Sequence, residues 1–201
     1  MKIGVFGGTF DPVHNAHIGL ARCFYEKLGL DKILMIPAFV PPHKEGVMPA
    51  DGEHRLKMCG LAAEDYSYIE VSDIELKRQG TSYTVDTLSE LKERCPGGEF
   101  FLLMGADMFM TLIQWKNYEK ILELSTVCAV MRDKSGVDAL NKYKNKHFPD
   151  ARVEIIDFSP GDVSSSMIRE TVKSGKAAIG LVPEKVADYI NENKLYYLGD
   201  R

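Results

Sequence analysis

The stretch that decides the fold is Ile3-Gly-Val-Phe6, followed by Gly7-Gly-Thr-Phe-Asp-Pro-Val-His-Asn-Ala-His17. A short apolar run, β-branched and aromatic, breaks off at two glycines. A segment with helical spacing then follows from His17 to Leu28, with Ile18, Ala21, Phe24, Tyr25 and Leu28 on one side. That is the first strand, turn and helix of a βαβ unit. The pattern recurs. Ile33–Pro37, Phe100–Met104, Thr126–Met131 and Val153–Ile156 read as further strands, and His54–Ala63 and Val85–Leu91 as helices between them. The second of these helices is expected to bury Leu56, Cys59 and Ala63, and the third Val85, Leu88 and Leu91. Strands alternating with helices predict an α/β, Rossmann-like, mostly parallel sheet with helices on both faces, wound right-handed. The helix expected over Pro183–Asn193, with Pro183 in its first turn, forms a C-terminal brace.

With 201 residues, 45% of them hydrophobic, the expectation is one domain spanning residues 1–201. A formal charge of −4 argues against nucleic acid as a partner. The N-terminal apolar run is too short for a signal peptide and no later run approaches the length of a membrane span. Cys23, Cys59, Cys95 and Cys128 lie far apart with no CxxC pair, which reads as free thiols in a reducing compartment. A soluble cytoplasmic protein with no membrane partner follows. The oligomeric state is not legible.

In such sheets ligands bind beyond the carboxyl ends of the strands. Gly7 and Gly8 fit that place, although neither the dinucleotide fingerprint nor the Walker pattern is met. His14 and His17 are three apart at a helix start, so they share a face where N–H groups and the dipole favour anions. Two imidazoles there suit a polyphosphate. Structural helix-start histidines and a metal pair are the alternatives, and no further residues complete a metal ligand set. Near the other end, Val163-Ser-Ser-Ser-Met-Ile-Arg169 follows a turn and enters a helix. Ser166 and Arg169 are i and i+3, so hydroxyl and guanidinium can face one point, though simple capping explains the serines equally well.

The first segment resembles the opening motif of the HxGH-type nucleotidyltransferase superfamily. Gly8, Phe10, Asp11, Pro12, His14 and His17 are in register, and Ala16 stands where the superfamily usually has glycine. VSSSMIR resembles its second signature, I-S-x-[TS]-x-x-R. The resemblance implies ATP bound by Gly8, Thr9, Phe10, His14, His17, Ser165, Ser166 and Arg169, with His14, His17 and Arg169 as the catalytic set and residues 163–201 as a helical C-terminal part of the site.

The order PPHK, SYTVDT, GAD followed by a Trp, VSSSMIR and VPxxVxxYI is similar to the bacterial nicotinate-mononucleotide adenylyltransferase family over nearly the whole chain. The resemblance implies adenylyl transfer from ATP to nicotinic acid mononucleotide in NAD biosynthesis, with Mg²⁺ travelling on the triphosphate. His43 and Lys44 would approach the mononucleotide phosphate, Trp115 would stack on the pyridine ring, and Tyr83 and Thr84 would frame its carboxylate. Gly105 and Asp107, just past a strand, suit the ribose side of ATP, and Arg132 adds charge near the triphosphate. By residue type alone, Lys44 reads as a surface lysine and Trp115 as core. Thr84 is a candidate N-cap, Asp86 a solvated first-turn acid, and no acidic residue precedes that helix closer than Glu75. A sister transferase acting on phosphopantetheine or another phosphorylated acceptor is the nearest alternative. A nucleotide-binding regulator without catalysis is a more distant one.

Overall fold

The computed structural model describes residues 1–42, 49–131, 134–159 and 161–197. Their elements run β1 (Lys2–Gly8), α1 (Asn15–Leu28), β2 (Lys32–Pro37), α2 (Gly52–Ala63), β3 (Ile69–Val71), α3 (Ile74–Arg78), α4 (Thr84–Arg94), β4 (Glu99–Gly105) and α5 (Ala106–Thr111). After a 3-10 turn at Leu112–Gln114 come α6 (Tyr118–Leu124), β5 (Ser125–Met131), α7 (Lys134–His147), β6 (Val153–Asp157), α8 (Ser165–Lys173) and α9 (Glu184–Glu192). The strands form one sheet in the order β3-β2-β1-β4-β5-β6, and every neighbouring pair is parallel. This is the doubly wound order, whose direction reverses between β1 and β4.

Both faces are covered, and alternate side chains go to opposite layers. Phe6, Met35, Leu103 and Cys128 join α1, α2, α8 and α9 in one core, whereas Val5, Leu34, Leu102 and Val127 join α3 to α7 in the other. The strands therefore read as continuous apolar runs, not as an alternating pattern.

Four local expectations are corrected. The helix expected from His17 begins at Asn15, so His14 is its N-cap. Thr84 is the first residue of α4 and Tyr83 the cap. Pro183 is likewise the cap of α9, with ψ 146°, and not part of its first turn. On α2 the buried face is Arg55, Met58, Cys59, Ala62 and Ala63, while Leu56 is only half-buried. The three-residue β3 is too short to give a periodic signal. The four cysteines are free; Cys95 is half-buried and the other three buried. Among the described residues no helix is long and apolar enough to cross a membrane.

Candidate active site

The loop after β1 is held by an aromatic wedge. Phe10 is a non-glycine residue at φ 49°, a conformation that persists only when its surroundings over-determine it. Its buried ring meets Phe6 edge-on at 5.5 Å and His17 at 5.0 Å. A Cβ on Gly8 would come within 3.0 Å of that ring, so the second glycine makes room for Phe10. A Cβ on Gly7 would meet nothing within 4 Å. The side chain of Phe10, expected at ATP, thus packs inward.

His14 and His17 stack with ring centroids 3.6 Å apart and an interplanar angle of 22°. They are not equivalent. The His14 amide donates to Nδ1 of His17 at 3.2 Å, which leaves Nε2 as the protonated nitrogen of a neutral His17 ring. His17 lines the main cleft. His14 is 5% exposed, and burial pushes its imidazole down to about 4, so it is uncharged near neutrality. Its Nδ1 has no hydrogen-bond partner among the described residues.

Asp11 organises what surrounds this pair. Its carboxylate, 3% exposed, accepts from the Ala50 amide at 3.1 Å and from the Tyr196 hydroxyl at 2.8 Å. Arg169 donates through Nη1 to the Asp11 carbonyl at 2.8 Å and through Nη2 to Ser166 Oγ at 3.2 Å, with Nη1 3.8 Å from the Asp11 carboxylate. Ser165 donates to the Pro12 carbonyl at 2.9 Å, and Ser164 caps α8 by accepting from the Met167 amide. The start of α8 is therefore stitched onto the loop carrying the histidines. The rest of the C-terminal part braces the molecule: Tyr189 of α9 hydrogen-bonds His54 of α2 at 2.8 Å, and Lys185 pairs with Glu64.

Arg55 was not legible as a site residue. It is 1% exposed and donates to the carbonyls of Ala50 (2.7 Å), Thr9 (2.9 Å) and Ala38 (2.6 Å), clamping the loops that leave β1 and β2. Burial pushes its pKa down while the Asp11 charge opposes that shift. A single arginine in a helix reads as surface, and only the closure of two loops over it supplies its three carbonyl partners.

A cleft of about 760 Å³ opens at the carboxyl ends of β1 and β4, where the strand order reverses. Gly8, Thr9, His17, Gly105 and Asp107 line one part of it, and Tyr83, Thr84 and Trp115 another. Phe10, His14, Ser165, Ser166 and Arg169 are not on its wall; the last three reach the site through the β1–α1 loop. Asp107 is exposed, at the second position of α5. Trp115, expected as core, is half-buried on the wall. His43, Lys44 and Arg132 lie outside the described residues.

Thr84 is on the second part of the wall, and its amide and that of Val85, at the start of α4, make no hydrogen bond among the described residues. Lys116 was missed by the sequence reading. Its ammonium sits 4.3 Å from the centre of the Tyr83 ring and 3.1 Å from Asp86, so the acid expected to be solvated is instead half-buried and ion-paired to Lys116. Glu75 is a correction. Remote in sequence from the start of α4, it lines the cleft at 6% exposure and accepts from the Thr87 hydroxyl at 2.6 Å.

Residues 5–171 match the cytidylyltransferase-like family. The chain is 38% identical over 195 residues to nicotinate-nucleotide adenylyltransferase of Bacillus subtilis, covering 97% of this chain and 98% of that protein. It is 40% identical to a probable nicotinate-nucleotide adenylyltransferase of Bacillus mycoides, with the same coverage. The fold is similar to Plasmodium falciparum nicotinic acid mononucleotide adenylyltransferase complexed with NaAD, at TM-score 0.75 and 20% identity over 97% of each chain. The signatures that meet at the β1–α1 loop and the match across the whole length agree: the chain belongs to the nicotinate-nucleotide adenylyltransferases, within the cytidylyltransferase-like nucleotidyltransferase family.

Proposed function

We propose that this chain transfers the adenylyl group of ATP to nicotinic acid mononucleotide, giving nicotinic acid adenine dinucleotide and pyrophosphate for NAD biosynthesis in the cytoplasm. One observation carries the reading. One cleft is lined both by Gly8, Thr9 and His17, suited to phosphates, and by Tyr83, Thr84, Trp115 and Lys116, suited to the acceptor.

The acceptor phosphate oxygen attacks the α-phosphorus in line, and the bond to the β-phosphate breaks as pyrophosphate leaves. No covalent enzyme intermediate forms. The protein holds two mutually repelling anions in line and stabilises charge on the phosphoryl oxygens. His17 donates from Nε2, the nitrogen left protonated by its bond to the His14 amide. Arg169, held by the Asp11 carbonyl of the loop and by Ser166 of its own helix, adds a positive charge that needs no reordering. Mg²⁺ would be carried by the triphosphate oxygens and water. The metal would supply charge neutralisation there.

At the other end, the amides of Thr84 and Val85 receive the nicotinate carboxylate with the field of α4 behind them. Nicotinamide would leave its NH₂ against donors. Glu75 does not rescue the amide, because Thr87 and Ser82 hydrogen-bond its carboxylate. Pyrophosphate release measured with nicotinic acid mononucleotide, nicotinamide mononucleotide and phosphopantetheine tests this. The expected order puts the first ahead of the second by at least roughly a hundred-fold in kcat/KM, about 2.7 kcal/mol. Equal values for the two mononucleotides overturn the role given to α4, and a preference for phosphopantetheine overturns the acceptor altogether.

A further inference from the structure

Glu75 is a buried carboxylate that no phosphate or ring contact requires. It lies on α3, lines the cleft, and is 6% exposed. Leaving such a group without partners is costly, and this one sits in a relay of hydrogen bonds. Arg78 Nη2 donates to Thr87 Oγ1 at 2.8 Å, and the Thr87 hydroxyl donates onward to Glu75 at 2.6 Å. From the other side Ser82 hydrogen-bonds the same carboxylate. Ser82 Oγ in turn accepts from the Phe39 amide at 2.9 Å.

The two ends of this relay are the two walls of the acceptor side. Thr87 belongs to α4, whose first amides face the proposed carboxylate position. Phe39 belongs to the segment leaving β2, which continues through Pro41 and Pro42 on the cleft wall. That segment is anchored just upstream, where the Ala38 amide donates to the Gly8 carbonyl at 2.8 Å and the Ala38 carbonyl accepts from Arg55 at 2.6 Å, and it is tied across to the turn before α4. The Ser82 amide donates to the Val40 carbonyl at 2.9 Å, and Val40 bridges Thr81. The turn presenting Ser82 is strained: Gln79 stands at φ 60°, and Gly80 follows at φ 70°. Strain of that kind at a non-glycine residue persists where its surroundings hold it, and the Gln79 amide donates to the Glu75 carbonyl at 3.0 Å where α3 ends. Burial pushes the Glu75 carboxyl upward, opposed by its two hydroxyl donors and by Arg78.

We propose that Glu75 is a positioning residue for the acceptor, setting the distance between the Phe39–Pro42 wall and the start of α4 through Ser82 and Thr87. The inference rests on the adenylyl-transfer reading. It assigns Glu75 no contact with ATP and no part in proton transfer.

The experiment measures KM for nicotinic acid mononucleotide and for ATP, each with the other saturating, in the parent, Ser82→Ala and Glu75→Gln. Ser82→Ala cuts the link to Phe39 with little change in volume. Glu75→Gln keeps the shape and forces one hydroxyl to turn round. Both variants are expected to raise the acceptor KM by about tenfold, a shift of about 1.4 kcal/mol, with ATP KM and kcat within about twofold of the parent. An unchanged acceptor KM overturns the proposal. So does an equal rise in both KM values, which marks general loosening. If Glu75→Gln does not fold, Ser82→Ala decides alone. A parent inactive with this acceptor refutes the function itself, whereas an active parent with insensitive variants refutes only the role of Glu75.

Discussion

The two ends of the cleft are built differently. The end we propose for ATP is built on the stretch of residues 8–17, cross-linked to α8 through Asp11, Pro12, Ser165 and Arg169 and clamped from behind by Arg55. Its key groups, Asp11, His14 and Arg55, are buried and hydrogen-bonded or stacked into fixed positions. The end we propose for the acceptor is assembled from the segment after β2, the α3–α4 turn, the start of α4 and the Trp115–Lys116 corner. Its exposed ion pair, Lys116 with Asp86, contributes little to stability. In the proposed reaction, one closely cross-linked loop would serve the end where charge develops, and a wall assembled from several segments would recognise the acceptor.

Perturbing each end gives effects of different kinds. The largest concerns stability at the ATP end. His14 is held at about 4, below its unfolded value of 6.5, so the unfolded chain takes up a proton first as pH falls. Its contribution is fully present above pH 6.5 and is lost as pH drops through about 4, an effect on the order of 3 kcal/mol. Urea unfolding of the parent and of His14→Asn between pH 7 and 4 should show the parent losing more stability by that amount. Parallel curves would contradict a buried neutral His14.

Next is His17→Ala, which removes the donor at the phosphates. It should lower kcat roughly a hundred-fold or more, about 2.7 kcal/mol, in a protein with unchanged circular dichroism. Near-parental kcat in that folded variant means His17 only fills space beside Phe10. A smaller effect is expected of Arg169→Lys, which keeps the charge but cannot reach both the Asp11 carbonyl and Ser166. Turnover should fall about tenfold in kcat/KM. Parental kinetics there would show that charge alone suffices. Against these losses in rate, the acceptor-end variants should move one KM, which is the sharpest form of the contrast.

The difference also explains what the chain reveals before it folds. Gly8, Thr9 and His17 were legible because they fall within one turn of chain, where spacing alone fixes their relation. Ser166 and Arg169 were legible as a pair for the same reason, and the structure joins them by a hydrogen bond. Arg55 and Glu75 were not. Each is a charged residue on a helix, and such residues are mostly solvated. Nothing near them in sequence supplies the carbonyls and hydroxyls that make their burial tolerable. Lys116 had a weaker signal, its place beside Trp115.

By itself, then, the sequence determined the alternation of strands and helices, the carboxyl-edge position of the first loop and the two phosphate-binding signatures. Those depend on periodicity and on contacts a few residues apart. Only the tertiary structure decided that His14 is buried while His17 faces the cleft, that α8 closes on Asp11 and Pro12, and that Glu75 is buried in the cleft wall against Thr87. The physical reason is burial. Whether a histidine is charged or a carboxylate is a partner depends on which distant segments exclude water from it, and that exclusion exists only once the sheet has brought those segments together.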